Sequence, residues 1–275
     1  MAIPILHFWK QYYENPDEGL GSSYERVVIE RKMLQVCRLF HAESVLEAPS
    51  FGFTGMSGIN SMGLAKAGFE VTLVDHDPER VQLIESLWKR LELPLKTTLL
   101  NEYESLPYTD RKFDVSWNFS ALWFVNDLPA FLGELTRVTR KAIVLMTPNR
   151  SGLGYFSQKL QGAEDLRNLL REEFIDPALY RSIMRELGWE MIASDYIDCP
   201  PWPDIGMHKE KFLARFGIRL PEKPRQPLTI LNWYDGSDPS FPERMARHEW
   251  FERCAPSVLK HFWAHHRYHV FVPKP

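Results

Sequence analysis

Two acids and a set of glycines are spaced as a nucleotide-binding edge requires. Glu47 closes the short apolar run Ser44-Val-Leu-Glu47 and opens a loop with glycines at 52, 55 and 58. Asp75 closes a second run, Phe69-Glu-Val-Thr-Leu-Val74, and is followed by His76 and Asp77. Glycine lets the backbone approach a ligand closely, and an acid at the end of a second strand can accept both hydroxyls of a ribose. The same glycines would also serve simply to shape a tight strand-to-helix turn. The dinucleotide fingerprint Gly-x-Gly-x-x-Gly is absent, because these glycines fall three residues apart. A carboxylate at position 47 would repel a pyrophosphate. It suits a cationic cofactor end instead, such as the amino group of S-adenosylmethionine.

A second group of candidates is the histidine run His261, His265, His266 and His269. Imidazole titrates near neutrality, so His265 and His266 are candidates for a general base. They could equally be structural residues capping the last strand. Histidines four apart on a helix can share a metal, and Cys254 is near in sequence. The segment is expected to pass from helix to strand, which would scatter these side chains. No Cys-x-x-Cys pair or acidic partner completes the set, so no metal is expected.

The elements that must hold these residues alternate. Ile59 to Ala67 and Pro78 to Leu91 have helical spacing, the latter with Val81, Ile84, Leu87, Trp88 and Leu91 on one face. Phe113 to Trp117 is a strand, Leu128 to Val138 a helix, and Lys141 to Met146 a nearly continuous apolar strand, as expected when both faces are buried. Such alternation implies an α/β fold whose parallel sheet binds its ligand at the carboxyl ends of the strands.

Composition sets the outer limits. With 275 residues, 44% hydrophobic and 25% charged, the chain can bury a large core and is not expected to be disordered. A net charge of −3 does not suggest a nucleic-acid binder, and no apolar run reaches the ~20 residues of a membrane span. The first residues do not read as a signal peptide, and Cys37, Cys199 and Cys254 are odd in number and far apart. A reducing, cytoplasmic setting is therefore expected. Residues 205–275 carry 12 Lys/Arg against 7 Asp/Glu and six of nine histidines, whereas residues 1–150 carry 16 against 19.

The ordered series of motifs resembles the cofactor region of class I S-adenosylmethionine-dependent methyltransferases, of the type 11 branch. The similarity is carried by Val45-Leu-Glu47 with its glycine loop and by Leu64-Ala-Lys-Ala-Gly-Phe-Glu-Val-Thr-Leu-Val-Asp75. It continues through Asn101 to Tyr108, Phe113-Asp114, Leu122 to Asp127, Glu134 to Val138 and Thr147-Pro-Asn149. The resemblance implies a Rossmann-like, mostly parallel sheet with an antiparallel last strand, and S-adenosylmethionine as cofactor. It assigns Glu47, Ala48 and the backbone at Gly52 and Gly55 to the methionine moiety, and Asp75 to the ribose. His76, Glu102 and Tyr103 fall to the adenine, and Asn118 and Phe119 to the methionine side. Tyr24 and Arg26 would close over the cofactor, or belong to a helix that covers the sheet. Two departures stand out: Pro49 and Phe51 interrupt a longer glycine loop, and Trp123-Phe124 stands where the branch often has Glu-His.

Pro177 to Leu187 then reads as the last helix, with strands over 189–197 and 267–272. The expected organisation is one domain over 1–275, with a helical cover at 1–40, a cofactor core at 41–150 and the last strand at 261–275. Segments 150–176 and 203–260 are read as lid insertions over a small-molecule acceptor, with Trp123, Asn149, Trp202 and Asp204 on the acceptor side. Most of the tail tryptophans would form the core of the lid itself. The expected function is in-line methyl transfer. A non-catalytic cofactor-binding scaffold and a nicotinamide oxidoreductase are the alternatives, and Glu47 speaks against the second.

Overall fold

The computed structural model describes residues 9–51, 56–161, 170–202 and 227–275. Gly52, Gly55 and Asp204 therefore lie outside the described residues. Chain order begins with α1 (Gln11–Glu14), α2 (Gly19–Leu39), β1 (Ser44–Glu47), α3 (Met62–Lys66) and β2 (Glu70–Asp75). Next come α4 (Pro78–Arg90), β3 (Lys96–Leu99), β4 (Phe113–Phe119), α5 (Leu128–Val138) and β5 (Thr139–Pro148). The remainder comprises α6 (Leu153–Gln161), α7 (Pro177–Glu186), β6 (Trp189–Ile197), α8 (Leu231–Tyr234), α9 (Phe241–Ala246), α10 (Glu249–Cys254), α11 (Ser257–Trp263) and β7 (His266–Pro273).

The strands form one sheet in the order β3-β2-β1-β4-β5-β7-β6. β1 to β5 pair in parallel, and β7 runs antiparallel between β5 and β6. This is the Rossmann-like sheet that the motif series implied, and the reversal matters for chemistry. Because β7 is inverted, its first residue His266 pairs with both Pro148 at the end of β5 and Ile197 at the end of β6. The start of β7 thus shares one edge with Glu47, Asp75 and Phe119, the last residues of β1, β2 and β4.

Local chemistry explains where the helices start. Asp77, Asp127 and Asp176 each accept backbone N–H groups of the first turn of α4, α5 and α7, with a proline in that turn. Such caps satisfy donors that a helix start leaves open, and proline there loses no hydrogen bond. β4 is buried throughout although Asp114, Ser116 and Asn118 alternate with its apolar residues, and β5 is buried from Ala142 onward, matching its nearly continuous apolar character. The helix expected over 59–67 is shorter, α3 beginning at Met62 after turns. In α2 the buried face includes Glu25, Arg26 and Glu30 besides Tyr24, Val27, Ile29 and Met33. Asn149 joins the chain ends of the sheet: its Nδ2 donates to the carbonyls of His261 and Ala264, both at 2.8 Å, and its N–H to that of His265 at 2.7 Å.

Candidate active site

The first half of the edge is acidic and deeply buried. Glu47 is 1% exposed; Ser61 Oγ donates to it at 2.5 Å and Asn60 Nδ2 at 3.5 Å. Trp117 Nε1 donates in turn to Ser61 Oγ at 3.1 Å. Asn60 also accepts from Arg26, whose Nη2 donates to Glu18 Oε1 at 2.9 Å and to the carbonyl of Met56 at 3.0 Å. Arg26, on α2, is thus linked to Glu47 through Asn60. Burial pushes the Glu47 carboxyl up to about 7, against the lowering from Ser61, Asn60 and Arg26.

Asp75 is fully engaged. Arg80 donates to it from Nε at 2.8 Å and Nη2 at 2.5 Å, Ser50 Oγ at 3.2 Å and the backbone N–H of Asp77 at 3.0 Å. Beside it, His76 Nδ1 and the Tyr103 hydroxyl lie 2.9 Å apart. The Phe51 ring meets His76 edge-on at 4.8 Å and Phe124 at 4.7 Å, with the Arg80 guanidinium 4.7 Å over its face. Burial lowers the His76 pKa and raises that of Tyr103. Glu102 is exposed next to Tyr103. Ala48 pairs with β4: its N–H donates to Trp117 O at 3.1 Å, and its carbonyl accepts from Asn118 Nδ2 at 2.9 Å.

The second half of the edge gathers groups from four distant stretches. His265 Nδ1 lies 2.7 Å from Asp198 Oδ2, and the His265 N–H donates to the Asp198 carbonyl at 2.9 Å. His266 Nδ1 is 3.5 Å from the same carboxylate oxygen and 3.9 Å from Glu25 Oε2. The Phe119 ring, ending β4, lies 4.8 Å from the His266 ring. Asp198 adopts φ +60° and Ser120 φ +51°, left-handed conformations uncommon for side-chain-bearing residues and concentrated at functional sites. Burial alone would raise the pKa of Asp198, but His265 and His266 more than offset it and hold the carboxyl below its ordinary range. Burial and the neighbouring Asp198 push Glu25 the other way. Tyr24 donates to Glu252 Oε2 at 3.0 Å, and its ring lies 5.7 Å from that of Trp202, which meets His248 at 4.9 Å.

The structure thus brings Tyr24, Phe119, Trp202, His265 and His266 to one end of the edge, and Glu47, Ala48, Asp75, His76, Tyr103 and Asn118 to the other. Trp123 is wholly buried, with Nε1 donating to Ser120 O at 2.7 Å, and Asn149 serves as the clamp described above. Asp198, Glu25 and Arg80 were not anticipated. Asp198 follows an apolar strand in the manner of Glu47 and Asp75, so the strand-end reasoning applied to those acids would have found it. Arg80 lies in the first turn after Asp75, within reach of it. Glu25 sits in a helix whose mixed buried face gives no periodic signal. The remaining histidines of the tail are dispersed: His269 Nδ1 pairs with the Tyr180 hydroxyl at 2.8 Å and His261 Nδ1 with that of Tyr196 at 2.8 Å.

The donor set suits S-adenosylmethionine at one end and resists it at the other. Glu47 is a buried carboxyl that a cationic group would return to its charged form, and Ser120 Oγ is buried with no hydrogen-bond partner among the described residues. Asp75, the acid expected to meet the ribose, already holds Arg80, so a sugar would share or compete for that carboxylate.

Residues 53–146 match the family described as a methyltransferase domain. No curated protein sequence matches the chain. Among solved structures, Bacillus halodurans BH2331 has a TM-score of 0.53 at 13% identity, covering 90% of this chain and 98% of that one. The [4+2]-cyclase SpnF has a TM-score of 0.52 at 14% identity, covering 90% and 80%. The S-adenosylmethionine-dependent methyltransferase TM1293 of Thermotoga maritima has a TM-score of 0.50 at 14% identity, covering 70% and 82%. At these identities the structures establish the fold alone. Over residues 53–146 the chain is thus similar to a methyltransferase domain, and its sheet has the fold of S-adenosylmethionine-dependent methyltransferases.

Proposed function

We propose that the protein transfers a methyl group in line to a small-molecule acceptor, with the His265–Asp198 pair handling the acceptor's proton. The carrying observation is the 2.7 Å contact between His265 Nδ1 and Asp198 Oδ2 on the same sheet edge as Glu47 and Asp75. When bound, the cofactor supplies a methyl on a sulfonium, a donor already activated, so positioning and exclusion of water carry much of the rate. Glu47 is the residue to hold its cationic amino end, and Asp75, once released by Arg80, its ribose. His76 and Tyr103 would flank the base.

On the acceptor side, Asp198 accepts from His265 Nδ1 and fixes the orientation of the ring, which leaves Nε2 as the atom to take a proton. Tyr24 and Trp202 supply aromatic walls, and Phe119 separates the two halves of the edge. Of the expected lid segments, the described parts 150–161, 170–176 and 227–260 are read as covering this space, which would exclude water during transfer; residues 162–169 and 203–226 lie outside the described residues. The burial of Tyr24 and His265, with Trp202 half-buried beside Tyr24, supports a small-molecule acceptor.

The reading is tested by incubating the protein with S-adenosylmethionine and a panel of hydroxyl, amine and thiol acceptors, and following S-adenosylhomocysteine. Turnover with one acceptor class, cut about 100-fold or more in His265→Ala, is expected for a general base. Turnover unchanged in His265→Ala and Asp198→Asn would remove the base from the account.

A further inference from the structure

The geometry points to a divalent metal site formed by Glu25, Asp198 and His266, and we propose that it takes a transition metal of the zinc class. The three residues come from α2, the residue after β6 and the first residue of β7. One ligand atom from each lies within 4.8 Å of the others, and all three residues are buried. His266 Nδ1 stands 3.5 Å from Asp198 Oδ2 and 3.9 Å from Glu25 Oε2. Donors about 2.0–2.2 Å from a tetrahedral zinc stand about 3.3–3.6 Å from one another, so His266 and Asp198 already have that spacing and Glu25 must move closer.

An independent observation supports a ligand here. Asp198 is 1% exposed and its Oδ1 has no hydrogen-bond partner among the described residues, while Oδ2 faces both histidines. A buried carboxylate with one oxygen left without a donor is costly, and a cation bound to that carboxylate would offset the cost. Two carboxylates and a neutral imidazole balance a charge of +2. Mixed nitrogen and oxygen donors favour zinc-like ions over calcium or magnesium, which prefer oxygen. The ring of His265 then acts on a ligand rather than as one, its Nδ1 holding Asp198 at 2.7 Å as outer partners of metal ligands do.

Three protein ligands leave a fourth position open, and a hydroxyl bound there becomes more acidic. This assigns the site to acceptors with an oxygen nucleophile. The metal reading set aside for the histidine run fails for that run, since His261 and His269 pair with tyrosines. It succeeds with acids that lie far away in sequence.

The test uses the full chain without cofactor, so its outcome does not depend on methyl transfer. The protein is stripped with a chelator, dialysed against zinc, and its bound metal is counted per chain. One retained equivalent is expected in the wild type and in His261→Ala. Glu25→Gln and His266→Ala should bind at least tenfold more weakly, and cobalt should give a ligand-field spectrum in the wild type that Glu25→Gln lacks. Should the variants unfold, the wild type alone decides: zinc is expected to raise its melting temperature. No retained metal and no rise in the wild type would overturn the site, as would equal retention in folded Glu25→Gln and His266→Ala.

Discussion

Arg80 grips the carboxylate of Asp75 with Nε at 2.8 Å and Nη2 at 2.5 Å, so the acid that ends β2 is an ion pair before any sugar reaches it. Both partners are almost completely buried. On the proposed reading, ribose hydroxyls compete with this guanidinium for Asp75. Arg80→Met is expected to tighten binding of S-adenosylhomocysteine by about tenfold, because a charge-assisted bond of roughly 1.5–3 kcal/mol no longer competes. It also leaves Asp75 uncompensated, so the ligand should raise the melting temperature of Arg80→Met more than that of the wild type. Calorimetry on both proteins checks this, and weaker binding in Arg80→Met would show that Arg80 assists the ribose contact instead.

Glu47 should give cofactor binding its pH dependence. Burial raises its pKa to about 7, whereas a cationic ligand needs the carboxylate. Affinity is expected to rise through neutrality and level off above it, losing about tenfold per unit below the pKa. Binding at lower pH should release a proton. Glu47→Gln should bind weakly at every pH, and a titration series from acid to mildly alkaline buffer distinguishes the two curves.

The same burial sets a stability trend. Glu30 and Glu47 are both pushed up to about 7 from 4.5, so the folded state keeps protons that the unfolded chain has already lost. Their contribution is complete below the unfolded pKa and is lost as pH rises toward the folded value. In thermal melts the double variant Glu30→Gln, Glu47→Gln should show a smaller fall in melting temperature between about pH 4.5 and 7 than the wild type.

Gly58 is the glycine of the first loop whose role the geometry fixes. It adopts φ +72°, and an added Cβ would meet Ile84 Cδ1 at 2.6 Å. Trp88 Nε1 also donates to its carbonyl at 2.8 Å. Gly58→Ala is expected to cost about 1–3 kcal/mol, measurable by denaturant unfolding. No loss would mean that the loop shifts freely at this point.

The sequence made the parallel core legible because β1, β2 and β5 are largely apolar, β4 alternates with large apolar residues, and α4, α5 and α7 carry Asp and Pro at their starts. β3 escaped notice, since Lys96-Thr-Thr-Leu99 is four residues long at the sheet edge, with half-buried threonines and exposed ends. His265 and His266 could be placed at the ligand edge from the reversal of β7 alone. Their partners could not be placed, because Glu25 and Asp198 reach them only through the packing of α2 and the turn after β6. The Arg80 contact was hidden for another reason: an arginine in the first turn of a helix ordinarily reads as solvated.

The central claim, a cofactor held between Glu47 and Asp75, is tested most directly by calorimetric titration of the wild-type protein with S-adenosylmethionine and, separately, with NADH. One equivalent of S-adenosylmethionine bound, much weakened in Asp75→Ala, with no heat from NADH, is the result the account predicts. Binding of NADH, or S-adenosylmethionine binding that Asp75→Ala leaves intact, would contradict it.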